Sequence, residues 1–174
     1  VVFDKTGTLT LARLRIGEVI PACGRDRRDL LRLAAAVERQ SEHPVARLIV
    51  LQAEEEAVEA PEAVDFQANP GLGTQATVDG HSVRVGSQRF LDAFGIRTDE
   101  MASELVRAAS DGHTIVLIAE DDGVIGVITL TDTIRPEARA AVHRLEHLGI
   151  RRIVMLTGDH AAAAWAVGSA VGIS

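Results

Sequence analysis

The sequence predicts an α/β protein in which a parallel-sheet domain, built from the two ends of the chain, is interrupted by an inserted α+β domain with an antiparallel sheet. Three observations carry this. The chain opens on the apolar run Val1-Val2-Phe3, ends it at Asp4, and follows with Thr6, Gly7, Thr8 and Thr10, as where a buried strand exits into a loop. After Asp132 the pattern is helix, strand, loop, helix. Between these ends lie short Gly-punctuated runs whose Asp-Gly dipeptides are hairpin signals. The division is residues 1–10 and 132–174 for the first domain and 11–131 for the insert.

Within the insert, residues 14–20 read as a strand stopped by Pro21. Residues 27–40 read as a helix, with Leu30, Leu31, Leu33, Ala34 and Val37 at helical spacing behind Asp26 as N-cap. Pro44 suits the first position of a second helix, which Val45, Leu48, Ile49 and Gln52 continue to about residue 57. Strands follow at 64–68, 75–78 and 82–85, separated by Asn69-Pro70-Gly71-Leu72-Gly73 and by Asp79-Gly80. Helices at 88–94 and 99–110 precede a second hairpin, 114–119 and 124–130, around Asp121-Asp122-Gly123. The tail is a helix at 136–148 closed by Gly149, a strand at 152–156, the loop Thr157-Gly158-Asp159, and an Ala-rich helix ending near Gly172. No internal repeat is visible.

Composition narrows the function classes. The chain has 174 residues, 25 acidic and 18 basic, for a net charge of −7, with 47% hydrophobic and 25% charged residues. That is globular composition, not disorder or low complexity. Four Phe, one Trp and no Tyr on an acidic chain exclude a general nucleic-acid partner, which wants a basic stripe and stacking platforms. A single cysteine, Cys23, excludes a disulfide framework and a Cys-rich zinc site and points to a reducing compartment. The longest uncharged stretch, residues 161–174, is shorter than the roughly 18 residues a membrane span needs. Without a starting Met or a signal segment, the chain reads as a soluble piece of something longer.

The segment Asp4-Lys5-Thr6-Gly7-Thr8-Leu9-Thr10 carries the chemistry. A carboxylate just past the end of a buried strand sits where open α/β sheets place their ligands, and Gly7 lets the next N–H groups turn toward an anion. The same residues also fit an Asx-turn at a strand exit. The segment resembles the phosphorylation motif of P-type ATPases. The resemblance implies the haloacid-dehalogenase-like phosphoryl-transfer fold, with Asp4 attacking the γ-phosphate of ATP in a catalytic loop shared with Lys5 and Thr6. It also implies Mg2+ held by the Asp4 carboxylate and the Thr6 backbone carbonyl. The family's third ligand, in a Gly-Asp-Gly motif, is absent from this sequence. Phosphatases of the superfamily carry an Asp at the place of Thr6, so Thr6 favours the ATPase.

Leu156-Thr157-Gly158-Asp159 resembles the family's second signature, with Thr157, Gly158 and Asp159 in the catalytic site, and Thr131-Asp132-Thr133-Ile134-Arg135-Pro136-Glu137 resembles its return hinge, with Asp132 and Arg135 as hinge residues. Ser41-Glu42-His43-Pro44 resembles the heavy-metal-transporting class. There the Glu and His contact adenine, which implies Glu42 and His43, and the class's Gly-x-Gly nucleotide loop matches Gly71 and Gly73. Ser87 stands after Gly86 where many members have an Asn that bonds ATP. Two features stay outside the motifs. His143 and His147 have i, i+4 spacing but read as a solvated helix face, with Leu145 and Leu148 inward, and Glu54-Glu55-Glu56 reads as an exposed acidic run.

Taken together, the resemblance implies the ATP-binding and phosphorylation region of a heavy-metal cation-transporting P-type ATPase. In the intact protein, hinge closure would deliver ATP to Asp4, and the aspartyl-phosphate would drive metal transport. The partners implied are ATP and the transmembrane and actuator domains of the parent transporter. The region would be a cytoplasmic domain of an integral protein of the plasma or inner membrane. The family's later catalytic Lys lies beyond residue 174, so very low turnover is expected of this piece. The alternatives are a haloacid-dehalogenase-type phosphatase and a non-catalytic ATP-binding module.

Overall fold

Apolar residues at alternating and at three- and four-residue spacing set the element order in the computed structural model, which describes residues 1–157 and 161–173. Strand β1 (Val2–Asp4) leads into a single π-helical turn, Lys5–Leu9, and then into β2 (Thr10–Pro21). Helices α1 (Arg27–Glu38) and α2 (Pro44–Glu55) precede three strands, β3 (Ala63–Asn69), β4 (Gly73–Val78) and β5 (His81–Gly86). Then come α3 (Gln88–Asp92), a 3-10 turn at Asp99–Met101, α4 (Ala102–Ser110), β6 (Thr114–Glu120) and β7 (Gly123–Ile134). Helix α5 (Ala138–His147), strand β8 (Val154–Leu156) and helix α6 (Ala161–Val171) complete the order. Among the described residues, no helix is long and apolar enough to cross a membrane.

The strands form a two-stranded parallel sheet, β1 with β8, and a six-stranded sheet in the order β2-β7-β6-β5-β4-β3. Neighbours from β3 through β6 run antiparallel. The fold is therefore α/β with one parallel and one largely antiparallel sheet. The chain divides into two compact units: Val1–Arg15, Val106–Thr114 and Thr131–Ser174 form the first, Ile16–Leu105 and Ile115–Leu130 the second.

In the second unit, β6 from Val116 to Ala119 and β7 from Val124 to Leu130 are buried without interruption because the sheet is covered on both faces. Val116, Ile118 and Ile128 join a cluster with Leu31, Ala34 and Ile49 of α1 and α2. Their sequence neighbours Leu117, Ala119 and Val127 join Phe90, Leu91, Ile96 and Met101. This is strand alternation feeding two cores, and each fully buried Leu or Ile contributes about 2 kcal/mol. The margin strand β3 breaks its pairing with β4 between Val64 and Gln67, where Asp65 takes a left-handed φ of 56°. The first unit has a smaller core, Leu9, Ala138, Val142, Val171 and Ile173, packed by Phe3, Ile134, Ile153 and Met155.

Several expectations are corrected. The loop after Asp4 is a π-helical turn. Strand β2 starts at Thr10, not 14, and β7 runs to Ile134, not 130, because Thr131, Asp132 and Thr133 bond back to β2 residues. Asp26 precedes α1 in extended geometry but its side chain makes no capping bond. Leu148 is not inward: it lies past the last turn of α5 and is 78% exposed.

Candidate functional site

In the first unit, the parallel register pairs Asp4 with Leu156, so the C-terminal ends of β1 and β8 are level. That is where open α/β sheets present their ligand groups. Asp4 is extended, exposed and makes no capping bond to the turn that follows. Thr157 follows Leu156 directly, one residue beyond the shared strand end. Gly158 and Asp159, which complete the second signature, lie outside the described residues, and so does the Thr6 side chain.

The turn after Asp4 is held by side chains from far along the sequence. Gly7 takes a left-handed φ of 79°, which glycine adopts without strain. Its N–H donates to Thr10 Oγ1 (3.3 Å), and the Thr10 hydroxyl donates in turn to Asp132 Oδ2 (2.5 Å). The other oxygen of Asp132 accepts from Arg13 N–H (3.0 Å). Arg135 closes the other side: its guanidinium donates to the Gly7 carbonyl (3.0 Å) and its N–H to the Leu9 carbonyl (2.9 Å). Thr10 is fully buried, and its hydroxyl also lies 3.2 Å from the Lys5 carbonyl, so it is paired on both sides of the turn. Asp132 and Arg135 therefore clamp the Asp4 loop, a role the sequence did not reveal because the partners are more than a hundred residues apart.

In the second unit, Pro44 opens α2 and holds His43 extended (φ −66°, ψ 139°) as its N-cap. The His43 ring is exposed, and its Nδ1 accepts from Val45 N–H (3.2 Å), which leaves the proton of the neutral ring on Nε2. His43 N–H donates to the Ser41 hydroxyl (3.3 Å), and Ser41 N–H donates to the Glu38 backbone carbonyl (3.0 Å). Glu38 also accepts from the Thr74 hydroxyl (3.0 Å), beside Gly73. It is 7% exposed, its Oε2 has no partner among the described residues, and burial pushes its pKa above the usual carboxylate value against the pull of Thr74 and Ser41. Glu42, the carboxylate singled out from the sequence, is exposed. The signal for Glu38 was present: it extends the buried Leu31, Ala34, Ala35 stripe of α1 by one turn, and an acid on an apolar stripe is rarely idle.

The glycines of the Gly71-Leu72-Gly73 loop act differently from one another. A Cβ on Gly73 would lie 2.8 Å from the Gly86 Cα, so this position is glycine because β4 and β5 meet there backbone to backbone. Gly71 has φ +74° and open space where its Cβ would stand. Ser87 donates its N–H to the Leu72 carbonyl (2.9 Å) and accepts at Oγ from Phe90 N–H (3.3 Å), capping α3. The structure thus ties His43, Ser41, Glu38 and Thr74 into one chain, and Leu72, Gly73, Gly86 and Ser87 into another.

Among the described residues no three His, Cys, Asp or Glu side chains form a metal cluster. The donors near Asp4 still suit Mg2+, because an exposed carboxylate and a backbone carbonyl are hard oxygens and Mg2+ uses one or two carboxylates with substrate phosphates.

The fold is of the α/β class, and the haloacid dehalogenase-like hydrolase family model matches residues 1–174 in full. The chain belongs to that family. It is 41% identical over 174 residues to a "Probable copper-exporting P-type ATPase V" of Mycobacterium tuberculosis (strain CDC 1551 / Oshkosh), covering 99% of this chain and 22% of that protein. Among solved structures it resembles a zinc-transporting PIB-type ATPase in its E2.Pi state, with TM-score 0.85 and 37% identity over 99% of this chain and 28% of the other. It also resembles the N-domain of the copper-transporting P-type ATPase HMA8, with TM-score 0.55 and 32% identity over 66% of this chain and 97% of the other. The chain spans about a fifth of the length of the curated relatives it matches.

Proposed function

We propose that the chain is the ATP-binding and phosphorylation region of a heavy-metal-transporting P-type ATPase, on the cytoplasmic side of a membrane protein whose transmembrane and actuator domains are its partners. The observation that carries this is Asp4, exposed at the level end of two parallel strands, in a turn clamped by Asp132 and Arg135. The second unit holds ATP. The exposed His43 ring offers a face and an Nε2–H to the adenine, exposed Glu42 stands beside it, and the buried Glu38 holds Thr74 next to Gly73. Gly71 leaves room for the nucleotide, while Gly73 and Ser87 hold the loop in shape.

In the first unit, an Asp4 carboxylate oxygen attacks the γ-phosphorus, an oxygen–phosphorus bond forms, the bond to the β-phosphate oxygen breaks, and ADP leaves with that electron pair. The Asp4 carboxylate and the Thr6 carbonyl would hold Mg2+, which would supply positive charge opposite the transferred group. The clamp on Gly7 keeps the turn fixed through this step. This reading gives Thr157, which follows β8, the role of donating a hydrogen bond to the phosphoryl oxygens, and assigns Lys5, Gly158 and Asp159 to the same catalytic site.

Titration of ATP with and without Mg2+, followed by NMR, tests this reading. The expected result is shifts at His43, Gly71 and Gly73 and at least tenfold weaker binding in His43→Ala. A folded chain that leaves ATP unbound at millimolar concentration sinks it. Radiolabel from γ-labelled ATP that survives acid and disappears in Asp4→Asn would then separate the transporter reading from a module that only binds.

A further inference from the structure

His143 and His147 stand one turn apart on α5, both exposed, and play no part in the phosphate or nucleotide sites. Their rings are not splayed into solvent. The two Nε2 atoms face each other at 3.2 Å, with ring centroids 4.3 Å apart and planes at 77°. In the absence of metal, one ring donates to the other. The separation is also the bite of a chelate. Two metal–nitrogen bonds of about 2.05 Å whose nitrogens lie this far apart subtend about 100° at the metal, close to the tetrahedral angle. Each ring then carries its proton on Nδ1 and offers the Nε2 lone pair.

We propose that His143 and His147 form a bidentate surface site for a borderline divalent transition cation of the zinc, copper(II) or nickel class, with water in the remaining positions. The donors select the class, since neutral imidazole suits these ions while Mg2+ and Ca2+ take oxygen. No third His, Cys, Asp or Glu joins the pair among the described residues, so the coordination sphere stays open to an exogenous ligand. Bound metal cross-braces the last turn of α5, whose Val142 anchors the core of the first unit.

The test is a titration of the 174-residue chain with zinc sulfate, and separately with magnesium sulfate, read from the imidazole 15N resonances and the melting temperature. Zinc is expected to move the Nε2 signals of His143 and His147 together, at one equivalent, and to raise the melting temperature, while magnesium moves neither. His143→Gln and His147→Gln should each weaken zinc binding at least tenfold. Both positions are exposed, so the fold is retained, and circular dichroism checks this. His81→Gln should leave the affinity unchanged. Movement of only one ring, equal affinity in His143→Gln, or no binding up to millimolar zinc overturns the proposal.

Discussion

The two loops that carry the candidate sites are held by opposite means. The turn after Asp4 is held by long-range polar clamps, Asp132 through Thr10 and Arg135 through the Gly7 carbonyl, beside a small apolar core. The Gly71-Leu72-Gly73 loop is held by backbone contact between Gly73 and Gly86, over the buried Phe90. The first loop is thus vulnerable to atoms removed and the second to atoms added. A large polar side chain stabilises one, and the absence of any side chain stabilises the other.

The largest effect expected is that of Asp132→Ala. It removes the carboxylate that accepts from both the buried Thr10 hydroxyl and the Arg13 N–H, leaving Thr10 the Lys5 carbonyl alone, and should cost about 3 kcal/mol. Hydrogen exchange at the Gly7 and Arg13 amides and a urea midpoint measure it, and unchanged protection at Gly7 would break the comparison on that side. Gly73→Ala should cost about 2 kcal/mol, because its new methyl meets backbone that cannot rotate away. Gly71→Ala adds its methyl in open space and should cost about 1 kcal/mol, from the left-handed φ alone. If the two substitutions cost the same, crowding is not what fixes the loop.

Glu38→Gln sharpens the comparison differently. Burial raises the Glu38 pKa, so the folded chain keeps a proton that the unfolded chain has already released. Stability should therefore fall as pH rises from the unfolded value near 4.5 to the folded one, and Glu38→Gln should flatten that slope in urea melts while weakening ATP binding several-fold. The smallest effect belongs to His81 and Asp121, paired at 2.8 Å with both side chains exposed. Asp121 raises the His81 pKa, so that contribution is complete below the unfolded His value and is lost as pH rises through the folded one. His81 lowers the Asp121 pKa, so the matching contribution is lost as pH falls through the folded Asp value. His81→Ala should shift the melting temperature slightly at pH 5.5 in low salt and not at all at pH 9 or in high salt.

What the sequence disclosed follows the range of the interaction that makes each feature. Local periodicity and breakers were enough for α1, α2 and the Asp79-Gly80 hairpin, because Pro44, the leucine spacing and the turn glycine act within a few residues. The start of β2 was hidden, since the buried Thr10 hydroxyl finds its carboxylate partner in Asp132, 122 residues away. The inward reading of Leu148 extended the helical period one residue past the place where α5 stops. Gly73 was legible as a special position, but its reason was not, because Gly86 stands opposite it only once β4 and β5 are paired. Glu38 went unread because the motif lies forward of the helix, while this buried acid stands on its last turn.

The left-handed Asp65 has a consequence for how copies of this chain behave in company. The outermost strand of a wide sheet is a template on which another molecule can lay its own strand, and Val64, half exposed there, would make such a contact adhesive. The bulge interrupts the template midway and sets a carboxylate at the break, so an incoming strand finds neither a continuous row of partners nor a neutral surface. That margin of the sheet carries its own guard against lateral pairing, and replacing Asp65 with an apolar residue should make the β3 edge more adhesive.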